Sequence, residues 1–186
     1  MRIIAGEYRG RIIRTCSGPG YRPATGKVRE SLFSMLESRG ITWKETDVLD
    51  LFAGSGSLGI ESLSRGARKA VFVDKNSRAC DLIRLNVSTL LNARQRSRVV
   101  KGDALAFAGS NPGMGFNLVF VDPPYGQGLA RPAVESLLRA DLVRRHGLIS
   151  AELESGLSFE AGFHPELEII RDRTFGQTRI LMWKKK

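Results

Sequence analysis

Val48-Leu49-Asp50-Leu51-Phe52-Ala53-Gly54-Ser55-Gly56-Ser57-Leu58-Gly59 is the stretch that decides the fold. Asp47 to Ala53 reads as a buried strand, a short apolar run interrupted only by Asp50. A glycine-rich turn follows, and Leu58, Ile60, Leu63 and Ala67 then recur at helical spacing. A strand that breaks into Gly-x-Gly-x-x-Gly and opens a helix suits a nucleotide cofactor. The glycines let a ligand approach the backbone, and the helix N-terminus offers unpaired N–H groups. Glycines also occur at any tight strand-to-helix turn for steric reasons alone.

Asp50 chooses between cofactors. A dinucleotide would set a doubly charged pyrophosphate over this turn, where a carboxylate repels it. S-adenosylmethionine carries no phosphate; its ammonium and sulfonium suit an acid at the strand tip. The expected cofactor is therefore S-adenosylmethionine, held by Asp50, Phe52, Gly54, Ser55 and Gly56.

Working outward, Lys69 to Asp74 is a second strand, followed by a helix through about Asn92. Arg98 to Gly102 is a third strand and Asn117 to Val121 a fourth. A helix from Pro132 to about Leu142 leads to a fifth strand, Gly147 to Glu152. Glu166 to Arg171 and Thr178 to Trp183 read as an antiparallel hairpin at the sheet edge. This alternation predicts an α/β fold: a doubly wound, mostly parallel, seven-stranded Rossmann-like sheet with helices on both faces. Ahead of it, Val28, Leu32, Met35 and Leu36 make one face of a helix from about Gly26 to Glu37, with Thr25 as its N-cap. Arg2 to Gly6 and Arg11 to Arg14 read as a small β-hairpin. The domain division is a basic hairpin extension over 1–20 and the main domain over 21–186.

Four strands end in acids at one sheet edge: Asp50, Asp74, Asp103 and Asp122. Each has a plain alternative, since Asp commonly caps the helix after a strand. Ligands of such sheets bind at this carboxyl edge. Asp74, with Lys75 beside it, is placed to accept the ribose hydroxyls, and Asp103, with Ala104, to accept from the adenine amino group.

Asp122-Pro123-Pro124-Tyr125 is the most specific signal. Two prolines cannot extend a central strand, so the chain turns off the sheet here. A carboxylate, free backbone carbonyls and an aromatic ring are left at the ligand edge. A planar base could stack on Tyr125 and donate its exocyclic amine to Asp122 and the Pro123 carbonyl. Orientation of the nitrogen lone pair would then supply most of the acceleration. On this reading the ring face of Tyr125 matters and its hydroxyl does not.

The 186 residues carry a net charge of +10, from 29 Lys and Arg against 19 Asp and Glu. Residues 1–29 hold seven basic residues against the single acid Glu7, a net of +6. So basic a segment points to a nucleic-acid partner, with Arg9, Arg11 and Arg22 as contacts. No apolar run reaches membrane-spanning length and no signal-peptide core opens the chain, so a cytoplasmic protein without membrane contact is expected. Cys16 and Cys80 belong to no paired ligand motif; two reduced thiols and no metal site are expected.

Val48 to Gly56 together with Asp122 to Tyr125 resembles the amino-methyltransferases of nucleobases. The wider set resembles the bacterial RsmD-type 16S rRNA guanine-N2 methyltransferases, which are class I adenosylmethionine-dependent enzymes. That set comprises Arg2-Ile3-Ile4-Ala5-Gly6, Arg9-Gly10-Arg11, Arg22-Pro23, Val28-Arg29-Glu30-Ser31-Leu32-Phe33, Glu61 to Ala67 and Phe175-Gly176-Gln177-Thr178. The resemblance implies methyl transfer to one guanine of 16S rRNA, guanine 966 in the usual RNA numbering; the expected substrate form is a small-subunit assembly particle and the expected state a monomer. It also implies that Arg29 and Glu30 lie beside the cofactor and target pocket, and that Asp122, Pro123 and Tyr125 are catalytic. The alternatives are a DNA adenine-N6 methyltransferase, an NAD-dependent oxidoreductase and a non-catalytic RNA chaperone.

Overall fold

The computed structural model describes residues 1–15, 26–111, 113–154, 156, 159 and 162–186. The loop read over Ser17 to Ala24, the cap at Thr25, and the residues Cys16 and Arg22 lie outside the described residues. The elements run α1 (Gly26–Glu37), β1 (Asp47–Asp50), α2 (Ser57–Ser64), β2 (Lys69–Asp74), α3 (Ser77–Ser88), β3 (Ser97–Lys101), α4 (Ala104–Ser110), β4 (Phe116–Val121), α5 (Ala130–Arg139), β5 (Val143–Glu154), β6 (Leu167–Phe175) and β7 (Thr178–Lys185).

The strands form one seven-stranded sheet in the order β3-β2-β1-β4-β5-β7-β6. β3 to β5 are parallel, and β7 enters antiparallel between β5 and β6. This is the Rossmann-like topology of class I methyltransferases. Strand order reverses between β1 and β4, so their carboxyl ends part and leave room for a ligand. β1 is shorter than the expected run to Ala53. The ladder nonetheless continues past Asp50, through Leu51 N–H to the Phe120 carbonyl and Ala53 N–H to the Val73 carbonyl, both 3.0 Å.

Period-two alternation splits each strand between two cores. Val48, Phe72, Leu118, Phe120, Ile180 and Met182 face α1, α2 and α3. Leu49, Val71, Val73, Val119, Val121, Ile149 and Trp183 face α4 and α5. Gly59 brings α2 down onto β2: a Cβ there would stand 2.3 Å from the Phe72 ring. The helix α4 has no counterpart in the sequence reading, because seven residues give too few turns to display a period.

The N-terminal segment differs from the expected hairpin. It holds one antiparallel bridge, Arg2 to Ile12, instead of two strands. Ile3, Gly10 and Ile13 N–H bond across the segment itself, and other backbone donors go to α2: Ile4 and Ala5 N–H reach the buried Glu61 carboxylate at 2.8 and 3.0 Å, and Tyr8 N–H reaches Ser64 Oγ at 3.0 Å. Ile3, Tyr8 and Ile13 are buried in the same core as Phe33 and Leu63. The segment is packed into the fold, with Arg9, Arg11, Arg14 and Ile12 left exposed. No helix among the described residues is long and apolar enough to cross a membrane.

Candidate active site

A cleft of about 640 Å³ opens at the carboxyl ends of β1 to β5. Phe52, Gly54 and Ser55 line it from the glycine turn, Asp74 and Lys75 from the end of β2, and Asp103 and Ala104 from the end of β3. Asp122, Pro123, Pro124 and Tyr125 line it from the end of β4. The turn is held open by backbone geometry. Gly56, the N-cap of α2, has φ +77° and contributes no side chain to cap the helix.

Asp50 supplies the missing cap. It is buried, lies outside the cleft lining, and accepts the Gly59 N–H at 3.0 Å. Burial, reinforced by the charge of Asp74 and opposed by the Gly59 hydrogen bond, pushes its carboxyl up to about 7. The structure therefore places Asp50 beneath the turn, where it holds α2, and outside the cleft lining. Gly56 is likewise absent from the lining.

Asp74 ties two segments together: Oδ2 accepts Gly54 N–H and Oδ1 accepts Asn76 N–H, both at 2.8 Å. Each oxygen keeps a lone pair for a hydroxyl in the cleft. Asp103 caps α4 with Oδ1, which accepts Leu105 and Ala106 N–H at 2.9 and 3.0 Å. The cap reading and a ligand contact coexist there, because Oδ2 is not used by the helix. Arg29 and Glu30 are not brought to the cleft. Arg29 is buried, donates to the Arg2 carbonyl at 2.9 Å and touches the Met1 sulfur, so it fastens the N-terminal segment to α1. Glu30 is exposed on α1. The helical face that buries Val28 and Leu32 also turns Arg29 inward, toward the N-terminal segment.

The β4 end carries the densest chemistry. Asp122 is half-buried and Pro123 buried, while Tyr125 stands 39% exposed over the opening. The Tyr125 hydroxyl is 3.0 Å from Thr178 Oγ1 on β7, and the Gly126 N–H donates to the Glu154 carboxylate. The tyrosine hydroxyl, read from sequence as idle, is an anchor for the ring.

Sequence reasoning missed Glu152 and Thr178. Glu152 lines the cleft from β5, is buried, and leaves Oε2 without a hydrogen-bond partner among the described residues. Its signal was present, since the fifth strand also ends in an acid. Asp122 and Glu152 are both held above the usual carboxylate range by burial, and the charge of Glu152 raises Asp122 further.

Among the described residues the lining thus sets Asp74, Asp103, Asp122 and Glu152 against the single cation Lys75. In a chain of net charge +10 this acidic cleft is a local inversion. It disfavours a pyrophosphate and fits a cationic ligand; the residues present therefore fit S-adenosylmethionine. Cys80, behind Asp74, is a buried thiol donating to the Asp74 carbonyl at 3.4 Å.

Comparison with known proteins agrees with this geometry. The family described as Conserved hypothetical protein 95 matches residues 1–184. "Ribosomal RNA small subunit methyltransferase D" of Escherichia coli is 36% identical over 84% of this chain and 77% of its own length. "Putative rRNA methyltransferase YlbH" of Bacillus subtilis is 33% identical over the whole of both chains. Among solved structures, "Putative methyltransferase yhhF" from Escherichia coli superposes with a TM-score of 0.84 at 32% identity, covering 100% of this chain and 98% of its own. The chain belongs to the Conserved hypothetical protein 95 family and is an adenosylmethionine-dependent methyltransferase related to the RsmD-like enzymes.

Proposed function

We propose that this protein methylates the exocyclic N2 amine of a guanine in 16S rRNA, acting in the cytoplasm on a small-subunit assembly particle. The observation that carries the reading is the position of Asp122-Pro123-Pro124-Tyr125, which shares one acidic cleft with the Gly54 turn. Relatives named as small-subunit rRNA methyltransferases, at 34% and 36% identity, support the choice of RNA. So do the exposed Arg9 and Arg11 on the N-terminal segment.

S-adenosylmethionine, when bound, would supply an electrophilic methyl group, its sulfur keeping the electron pair of the broken S–C bond as a neutral thioether. The chain's own residues orient the acceptor. Tyr125, anchored through Thr178, offers a ring face for the base to stack on. Asp122 and the Pro123 carbonyl accept the two amine hydrogens, which turns the nitrogen lone pair out of conjugation and toward the methyl carbon. As the N–C bond forms, the amine gives up one proton. Asp122, whose affinity for protons burial has raised, is the adjacent acceptor. Pro123 and Pro124 keep β4 from continuing and so keep these acceptors free. A paired base cannot enter the cleft, and the target guanine leaves its stack.

Tritiated S-adenosylmethionine tests the reading when supplied with small-subunit particles, naked 16S rRNA or DNA. Label in a single guanine of the particle is the expected result. Label in DNA adenine, or none in rRNA, would overturn it.

A further inference from the structure

The register of the sheet makes neighbours of two carboxylates that lie 30 residues apart in the chain. Val121 on β4 pairs with Ala151 on β5, so the residues that follow, Asp122 just past the end of β4 and Glu152 on β5, also stand side by side. Side chains alternate along a strand, and Val121 and Ala151 both face the α4 and α5 core. Asp122 and Glu152 therefore share the opposite face, and both line the cleft.

Glu152 is more than nine-tenths buried, and its Oε2 has no partner among the described residues. An unpaired buried carboxylate is costly, and a residue that served only to fill space would do so better without charge. Its other contact is Thr178, whose hydroxyl also meets the Tyr125 hydroxyl at 3.0 Å. Thr178 thus ties Glu152 to the ring on which a base would stack. The unpaired acceptor points to a donor brought by the ligand.

Guanine presents two kinds of donor on one edge, the N2 amine and the ring N1–H beside it. Adenine and cytosine also carry an amine, but the neighbouring ring nitrogen is an acceptor. Two adjacent carboxylates match the first pattern and oppose the second. We propose that Glu152, steadied by Thr178, accepts the ring N1–H of the target guanine while Asp122 holds its amine, and so selects guanine over bases with an acceptor at that position. This rests on the guanine reading above and adds the residue that enforces it.

The discriminating substrate is 2-aminopurine, which keeps the N2 amine but has a bare ring nitrogen at position 1. Small-subunit particles are reconstituted with 16S rRNA carrying guanine or 2-aminopurine at the methylated position, and kcat/KM is measured for each. The wild-type protein should prefer guanine by about 10⁴–10⁵, the range in which a site built to hydrogen-bond an N–H rejects an analogue that lacks it. In Glu152→Gln the amide can turn its N–H₂ toward the bare nitrogen, and the preference should fall to within about tenfold. S-adenosylmethionine affinity reports that the variant is folded. Thr178→Val, which frees Glu152 and Tyr125 together, should lower the preference part of the way, and Thr178→Ser should restore it. An unchanged preference in Glu152→Gln, with wild-type methylation of guanine intact, would overturn this inference alone. A wild-type protein that methylates no guanine would overturn the guanine reading and this inference with it.

Discussion

Asp122 and Glu152 stand side by side across β4 and β5, one residue beyond the register pair Val121–Ala151. Asp50 completes a row on the same sheet face: it pairs with Phe120 on β4, two residues before Asp122. The charge of Asp50 raises the proton affinity of Asp122, as that of Glu152 does more strongly. Three carboxylates on three adjacent strands share a low-dielectric space, where like charges are weakly screened. Such a site resists full ionisation, and this has consequences for both catalysis and stability.

Asp122→Ala should leave S-adenosylmethionine affinity nearly unchanged and lower single-turnover methyl transfer by at least about a hundredfold, the usual loss for a group aimed at the reacting atom. Rapid-quench assays on small-subunit particles measure it. Near-normal turnover would make the tetrapeptide a structural turn.

The acid limb of the pH profile follows from the raised proton affinities. A carboxyl whose pKa is raised is neutral below that value and becomes a full acceptor only above it. Glu152 is pushed up to about 7, and Asp122 also lies well above its usual range. Methyl transfer should therefore fall as pH drops through about 7. The groups facing this pair are Asp50, Tyr125 and Thr178. Removing the Glu152 charge lowers the proton affinity of Asp122, so the residual activity of Glu152→Gln should have its acid limb displaced to lower pH. A limb unmoved in that variant would show that another group sets it.

Tyr125→Ala should slow methylation by the equivalent of about 1–3 kcal/mol, the worth of one stacked base. Tyr125→Phe should not be silent. It removes the 3.0 Å contact with Thr178, a hydrogen bond worth about 0.5–1.5 kcal/mol, and frees the ring. A several-fold rise in KM for the particle is expected in steady-state assays; identical kinetics for Phe and Tyr would show that the anchor is idle.

Asp50 should matter to stability more than to ligand binding. Its pKa is raised in the folded state, to about 7, so its contribution is fully present below the unfolded value near 4 and is lost as pH rises through 7. Asp50→Asn keeps an oxygen for the Gly59 N–H and sheds the charge. In denaturant titrations the variant should gain on the order of 2–4 kcal/mol over the natural chain as pH rises from about 4 to about 8. Asp74→Ala, by contrast, should weaken S-adenosylmethionine binding by about 1–3 kcal/mol. Weaker binding in Asp50→Asn than in Asp74→Ala would contradict the placement of Asp50 beneath the turn.

Arg9 and Arg11 are exposed on a segment that is otherwise anchored by buried Ile3, Tyr8 and Ile13. Replacing both with Ala should spare the fold and S-adenosylmethionine binding. It should flatten the log–log salt dependence of RNA affinity by roughly one to two units of slope, about one for each phosphate no longer neutralised. Filter binding across a salt series measures this. An unmoved slope would place the RNA surface elsewhere, with Lys184 to Lys186 as the alternative: Lys186 is exposed and Lys184 half-buried there, while Lys185 is buried beside Asp141 and Glu166.

What the sequence determined by itself was whatever depends on short-range pattern. The run from Val48 to Gly59 announced strand, turn and helix, because alternation and glycine placement are local constraints. Asp74, Asp103 and Asp122 were legible as cleft residues, since a doubly wound sheet exposes one edge to ligand and each sits at that edge. Tertiary structure alone decided what each carboxylate touches. Asp50 and Asp74 look alike in sequence, both at strand ends. Yet Asp50 is buried and bonded to Gly59, while Asp74 reaches Gly54 and faces the cleft. Arg29 similarly follows from packing, because its guanidinium meets a carbonyl 27 residues away. The meeting of Tyr125 with Thr178, 53 residues on, depends on the antiparallel entry of β7 beside β5, and so does the anchoring of Glu152. Strand order and register bring such pairs together across the sheet, and neither is written in the local spacing of the residues that meet.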